Sequence, residues 1–174
     1  ASLLGNADYT DVTTRNAGDY ALGISGLYSG QQGYDIKVET GRYTVDKAKL
    51  TLSAVTDSKT YDGDTKSARR VKHGALQGSD SLTGLSQSFD SKNAGDNRTL
   101  TVDSGYTLED GNGGNNYTVT TTSANGSITR RKLTISGTKA AGKTYDGTAT
   151  ANITVGSLEN LVGGETLDVT ASGE

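Results

Sequence analysis

The side chains with the most chemical potential in this sequence stand in two copies of one short run, Tyr61-Asp62-Gly63 and Tyr145-Asp146-Gly147, each preceded by Lys-Thr. An aspartate beside a tyrosine can act as an acid or a cation ligand, with the ring as a platform for a sugar. The same residues also make a turn. Tyr closes a strand end over a thin core, Asp bonds to turn amides, and Gly takes a left-handed backbone. Recurrence at one place in a repeat favours the structural role. A second run, Asp110-Gly111-Asn112-Gly113-Gly114-Asn115-Asn116, sets oxygen ligands at alternate positions, superficially like a calcium loop. It lacks the late bidentate carboxylate and flanking helices of an EF-hand, so a flexible hairpin tip is expected.

Nothing else converges on a reaction. His73 is the single histidine, and no Gly-x-Ser-x-Gly elbow accompanies it, so a surface-strand histidine is expected. No pair of carboxylates stands in a glycosidase context. The expectation is a protein that is not an enzyme, with no catalytic residue, metal or cofactor. Asn97, Asn116, Asn125 and Asn152 open Asn-x-Ser/Thr triplets and are candidate glycosylation acceptors, although such triplets arise easily in a sequence rich in Asn and Thr. A Lys–Asn or Lys–Asp isopeptide cross-link would need buried geometry that sequence does not reveal.

The elements that must position these residues come from an internal repeat. Residues 49–63 read KLTLSAVTDSKTYDG and residues 132–147 read KLTISGTKAAGKTYDG. Upstream, Asn16-Ala17-Gly18-Asp19 recurs as Asn93-Ala94-Gly95-Asp96, which marks Asn93 and Gly95 as structural-motif positions. Tyr34, Ile36, Val45, Lys49 and Leu50 align without a gap onto Tyr117, Val119, Ile128, Lys132 and Leu133, a spacing of 83 residues. The expected organisation is the C-terminal half of a unit at 1–48, a complete unit at 49–131 and the N-terminal half of a unit at 132–174. That phase suggests a piece of a longer array, cut midway through its repeats.

Composition limits what such units can bury. Leu, Ile, Val and Phe account for 31 of 174 residues, with 24 glycines and no tryptophan, which brings disorder into consideration. The net charge of only −3, the nine tyrosines and the alternating apolar positions favour order in thin β-layers. Without cysteine there are no disulfides or thiolate sites. The 17 basic and 20 acidic side chains are interspersed, so the broad basic stripe of a nucleic-acid binder is missing. No apolar run approaches the roughly 18 residues of a membrane span, and no signal-peptide pattern follows Ala1.

Leu50, Leu52 and Ala54 alternate with Lys, Thr and Ser, which predicts a half-buried strand, and Leu133, Ile135 and Gly137 repeat its phase. Leu100 with Val102, and Tyr117 with Val119, continue the period of two. Turn-formers separate them, with Asn125-Gly126 as the clearest hairpin candidate. Residues 76–85 offer at most a short turn of helix. The fold class is all-β, as tandem β-sandwich-like units of immunoglobulin size, with β-grasp-like units or a β-solenoid as alternatives.

Stretches such as KTYDGT, KNAGD and NYTVTTTSANGSITRRKLT, in fixed order, resemble the YDG and MBG repeats of large bacterial exoproteins, the filamentous-haemagglutinin-like and high-molecular-weight adhesins. The first half-unit departs from that pattern, with Gly33-Tyr34-Asp35 where the complete unit has Asn116-Tyr117-Thr118. The resemblance implies a stalk or spacer repeat of a secreted, extracellular surface adhesin that presents an adhesive region or contributes to a fibre. A glycan- or protein-binding adhesive module is the alternative. Expected partners are neighbouring repeats of the same chain, surface glycans or proteins, and further copies met through strand edges, with no nucleic acid.

Overall fold

The computed structural model of the chain describes residues 3–5, 8–9, 14–31, 33–34 and 36–172, and Asp35 lies outside them. All the regular structure of the described residues is β, in small sheets of two to four strands. The chain folds as two compact units, the first from 1–54, 70–86 and 102–122, the second from 55–69, 87–101 and 123–174. The 49–131 repeat therefore contributes to both, and each unit also takes in part of an adjoining repeat.

At the centre of the first unit lies the strand Ala48–Ser53, where the period-two pattern is strongest. It pairs in parallel with Tyr117–Thr122 over six positions, from Tyr117 opposite Ala48 to Thr122 opposite Ser53. Its other edge pairs antiparallel with Lys72–His73. Leu50 and Leu52 point into a core with Val71, Leu108 and Tyr117, and Leu76, Leu82, Val102 and Val119 pack around it. Each fully buried leucine contributes roughly 1.5–3 kcal/mol of apolar transfer. Thr51, between them in sequence, faces outward and meets the Thr120 hydroxyl at 3.2 Å. Two antiparallel pairs complete the principal strands, Ser81–Thr83 with Thr107–Glu109 and Gly18–Leu22 with Gly41–Val45.

The second unit holds a four-stranded sheet in the order Gln87–Phe89, Gly95–Val102, Ala124–Thr129, Ser58–Thr60. Phe89, Leu100 and Ile128 are its buried apolar side chains. Ser58–Thr60 runs parallel to Ser127–Thr129, so this sheet too is mixed, unlike two purely antiparallel immunoglobulin sheets. A bulge between Gly95 and Arg98 carries Asn97 at φ 58°.

Two local expectations change. Asn125-Gly126 is not a hairpin turn but part of the strand Ala124–Thr129. Glycine is needed there because a Cβ on residue 126 would stand 2.5 Å from the Asp57 carbonyl oxygen and 2.8 Å from both Leu100 and Phe89. Segment 76–85 makes no helix. The Asp80 amide donates to the Gln77 carbonyl at 3.0 Å, and the chain then extends into Ser81–Thr83.

Gln87, buried in the second unit, does the work of an extra strand. Its side-chain oxygen accepts from the Val55 amide at 2.7 Å, and its Nε2 donates to the Val55 carbonyl at 2.7 Å and to Ser67 Oγ at 2.9 Å. Ser67 Oγ in turn donates to Asp57 Oδ2 at 2.7 Å. Each buried polar atom named here finds a partner, as burial requires.

Candidate functional site

The first Tyr-Asp-Gly turn follows the strand Ser58–Thr60. Gly63 sits at φ 87°, and Asp62 Oδ1 accepts from the Asp64 amide at 3.3 Å. The turn is closed by Lys59, whose ammonium reaches Asp62 Oδ1 and Asp64 Oδ1, both at 2.7 Å, and donates to the carbonyls of Asp64 and Lys66 at 3.0 Å. The Lys59 side chain is 14% exposed and its ammonium stands 5.6 Å from the Phe89 ring centre. Burial works against its charge, but the hydrogen bonds and charges of Asp62 and Asp64 prevail and raise its pKa. Asp64 is held below its ordinary value by the bond from Lys59 and the Lys66 amide.

The second copy repeats the local arrangement. Gly147 sits at φ 77°, Asp146 Oδ1 accepts from the Thr148 amide at 2.9 Å, and Lys143 Nζ donates to Asp146 Oδ1 at 3.0 Å and the Thr148 carbonyl at 2.7 Å. The Thr148 amide, then Lys143, then the Thr148 hydroxyl hold the Asp146 carboxyl below its usual range. The tyrosines differ. Tyr61 is half-buried and its hydroxyl donates to Glu165, whereas Tyr145 is 93% exposed. The bond to Glu165, with burial adding, pushes the Tyr61 pKa up.

Beyond the turns, the motif residues gather where one repeat meets the next. In the first unit, Asp110 is buried and receives three amides, from Asn112 and Gly114 on Oδ1 and Asn116 on Oδ2, each at 2.8 Å. Burial opposes its ionisation, yet these amides outweigh it and hold the carboxyl below its ordinary range. The loop is thereby ordered around its own acid rather than left as a flexible tip, with amides on both Asp110 oxygens. Asn116, presented by this loop, reaches the preceding repeat. Its Oδ1 accepts from the Ala17 amide at 2.8 Å, and its Nδ2 donates to Asn16 Oδ1 at 3.2 Å and to the Asp110 carbonyl at 3.1 Å. Next to it, the Tyr117 hydroxyl donates to Asp80 Oδ2 at 2.6 Å and accepts from the Gln77 amide at 2.7 Å. Burial first, then that bond to Asp80, raises the Tyr117 pKa. A cleft of about 470 Å³ opens between Arg15–Ala17, Gln77–Asp80 and Asp110.

The second unit contains the corresponding place one repeat later. Asn93 and Ala94 stand where Asn16 and Ala17 stood, Leu161 where Leu76 stood, and Glu165 where Asp80 stood. These residues line a cleft of about 310 Å³ together with Tyr61, Arg131 and Leu133. Arg131 Nε donates to the Asn160 carbonyl at 2.7 Å, and Lys92 lies 3.8 Å from Glu165. In both clefts the same acidic position accepts a tyrosine hydroxyl, from Tyr117 in one and from Tyr61 in the other.

The YDG domain pattern matches residues 45–124 and again 129–174, which is most of the chain. The chain belongs to the YDG domain family. Comparison with curated proteins and with solved structures returns no match. The two YDG matches begin 84 residues apart, at Val45 and Thr129, and each contains one Tyr-Asp-Gly turn.

The remaining motif residues of the YDG chain have plain positions. Asn93 is exposed and its amide donates to Ser91 Oγ at 3.1 Å. Gly95 leaves room for the Arg98 guanidinium, which a Cβ would meet at 2.9 Å and which donates to the Ala94 carbonyl at 3.0 Å. Tyr20 plays that part in the first repeat, donating to the Asn16 carbonyl at 2.7 Å. Of the four acceptor triplets, Asn97, Asn125 and Asn152 are exposed, while a sugar on Asn116 Nδ2 would displace bonds that join two repeats. His73 is exposed at the strand end. Among the described residues no group of three or more His, Asp or Glu side chains is arranged to hold a metal ion.

Lys59, Gln87 and Glu165 carry contacts that sequence reasoning did not assign. Lys59 had a signal, since a lysine precedes both Tyr-Asp-Gly turns by the same two positions. Gln87 had none, because its partners lie 32 and 20 residues away.

Proposed function

We propose that this YDG chain is a structural stalk or spacer of a secreted bacterial cell-surface adhesin, holding an adhesive region away from the cell or contributing to a surface fibre. The observation that carries this reading is the use made of the signature residues. Asn116 is bonded to Asn16 and Ala17 of the preceding repeat, and Tyr61 to Glu165 of the following one. Asn116 and Tyr61 are thereby engaged in joining repeats rather than turned to a ligand, a nearest-neighbour logic that lets length change with copy number. The bacterial exoprotein setting rests on the sequence resemblance.

Two measurements test the reading. Antibodies against the chain should label intact, unpermeabilised cells of the producing bacterium. The isolated chain should bind no glycan on an array and no surface protein saturably. Saturable binding abolished by substitutions in the exposed loops, with melting unchanged, would replace the stalk with an adhesive module.

A further inference from the structure

Five places in the chain set Asn or Asp directly before a glycine: Asp62-Gly63, Asp110-Gly111, Asn112-Gly113, Asn125-Gly126 and Asp146-Gly147. At such a pair the glycine amide nitrogen can close on the preceding side-chain carbonyl, because no Cβ hinders the ring. Three of the five are acids held as carboxylates, which accept that attack poorly. Lys59 stands 2.7 Å from Asp62 Oδ1, Lys143 3.0 Å from Asp146 Oδ1, and three amides at 2.8 Å surround Asp110. Asn125 is neutral but lies in the strand Ala124–Thr129, opposite Thr99, and position 126 beside it is hemmed in by Asp57, Leu100 and Phe89. Asn112-Gly113 combines a neutral side-chain amide with an unrestrained glycine. Gly113 is exposed at φ 63°, and nothing lies nearer than 3.8 Å to where its Cβ would stand. Among the described residues its amide has no hydrogen-bond partner.

We propose that Asn112 is a modification site, converted without an enzyme to aspartate and isoaspartate, and that this conversion releases the contact of Asn116 with the preceding repeat. The chemistry needs only water; its use as an ageing device of a stalk rests on the structural reading above. The Gly113 amide nitrogen gives up its proton to base and attacks Asn112 Cγ. A nitrogen–Cγ bond forms, the Cγ–Nδ2 bond breaks, and Nδ2 leaves as ammonia. Water then opens the five-membered ring at Cγ, giving aspartate, or at the main-chain carbonyl, giving isoaspartate with a main chain one carbon longer. Either product reaches the repeat joint through Asn116. Asn112 Nδ2 donates to Asn116 Oδ1 at 3.0 Å, and the same oxygen accepts from the Ala17 amide at 2.8 Å. The product replaces that donor with a carboxylate, which repels the Asn116 oxygen. Turning the Asn116 amide over to meet the carboxylate would set Nδ2 against the Ala17 N–H, donor against donor. In both arrangements the Ala17 amide loses its acceptor. The longer main chain of isoaspartate also moves the Asn112 carbonyl away from the Asn115 amide and Nδ2, now 3.2 and 2.8 Å from it.

Incubation of the whole chain at mildly alkaline pH, followed by mass spectrometry of its peptides, tests the first half. Isoaspartate should accumulate at residue 112 well ahead of residue 125. Asn112→Gln keeps the side-chain donor but can close only a larger ring, so it should stay intact. Hydrogen exchange tests the second half. The Ala17 amide should be protected in the fresh chain and lose that protection in the aged chain and in Asn112→Asp, while the Leu52 amide in the core keeps its own. Conversion at residue 125 first, or at neither residue, overturns the proposal, and so does an Ala17 amide that stays protected after conversion. The cell-labelling and glycan tests of the stalk read other properties, so the stalk and the modification fail separately.

Discussion

Tyr61 and Tyr145 occupy the same place in successive repeats, and the turns they open are closed alike by a lysine, an aspartate and a left-handed glycine. Their surroundings diverge. Around Tyr61 the following repeat supplies Glu165, whereas Tyr145 is exposed among the described residues. The same split runs through the strands, where Leu52 is fully buried and its counterpart Ile135 is half exposed. Turn geometry is thus written within a few residues, while burial depends on strands contributed from far along the chain.

The largest break in that comparison should come from the strands. Leu52→Ala should cost about 2–5 kcal/mol in urea unfolding, and Ile135→Ala less than about 1 kcal/mol, because only the first leaves a cavity. Equal losses would mean that the half-repeat is packed as well as the whole one. Next come the lysines. Lys59→Met should cost roughly 1–2 kcal/mol, since two carboxylates lose their shared cation in a half-covered site, and Lys143→Met under about 1 kcal/mol. Circular-dichroism melts of the pair would show it. A smaller effect is expected from Tyr61→Phe, which lowers the melting temperature by losing the bond to Glu165, while Tyr145→Phe leaves it unchanged.

Acid provides a subtler probe. The Asp110 carboxyl is held below its ordinary value of about 4, so its contribution is complete above that value and fades as pH falls through the lowered folded pKa. Asp110→Asn should remove this part of the acid dependence while leaving that of Asp64 and Asp146, which are lowered in the same direction. The smallest expected effect is none at all. Calcium or a chelator should leave the melting curve where it was, because the Asp110 oxygens are already committed to amides.

How much of this was legible follows from the same division. The strand at Leu50 and Leu52 shows in its alternation, and the Tyr-Asp-Gly turns show in their residue types, because both signals are local. The parallel match of Ala48–Ser53 with Tyr117–Thr122 joins segments about seventy residues apart and leaves no local trace. Asn125-Gly126 misled because the dipeptide is common in turns, whereas here Phe89 and Leu100 demand a missing Cβ from elsewhere in the sequence. The Asp110 loop resembled a cation site because carboxylate oxygens suit amides and cations equally, and only the fold brings out the three amides that reach it.

The parallel ladder between Ala48–Ser53 and Tyr117–Thr122 carries a mechanical consequence. Tension entering at Ala48 and leaving at Thr122 pulls two parallel neighbours in opposite directions along their length. Their six paired positions are then loaded in shear and must yield together, rather than peeling open one after another. A repeat tied in this way resists extension best along the line of its own chain, the direction in which a tether between two surfaces is pulled.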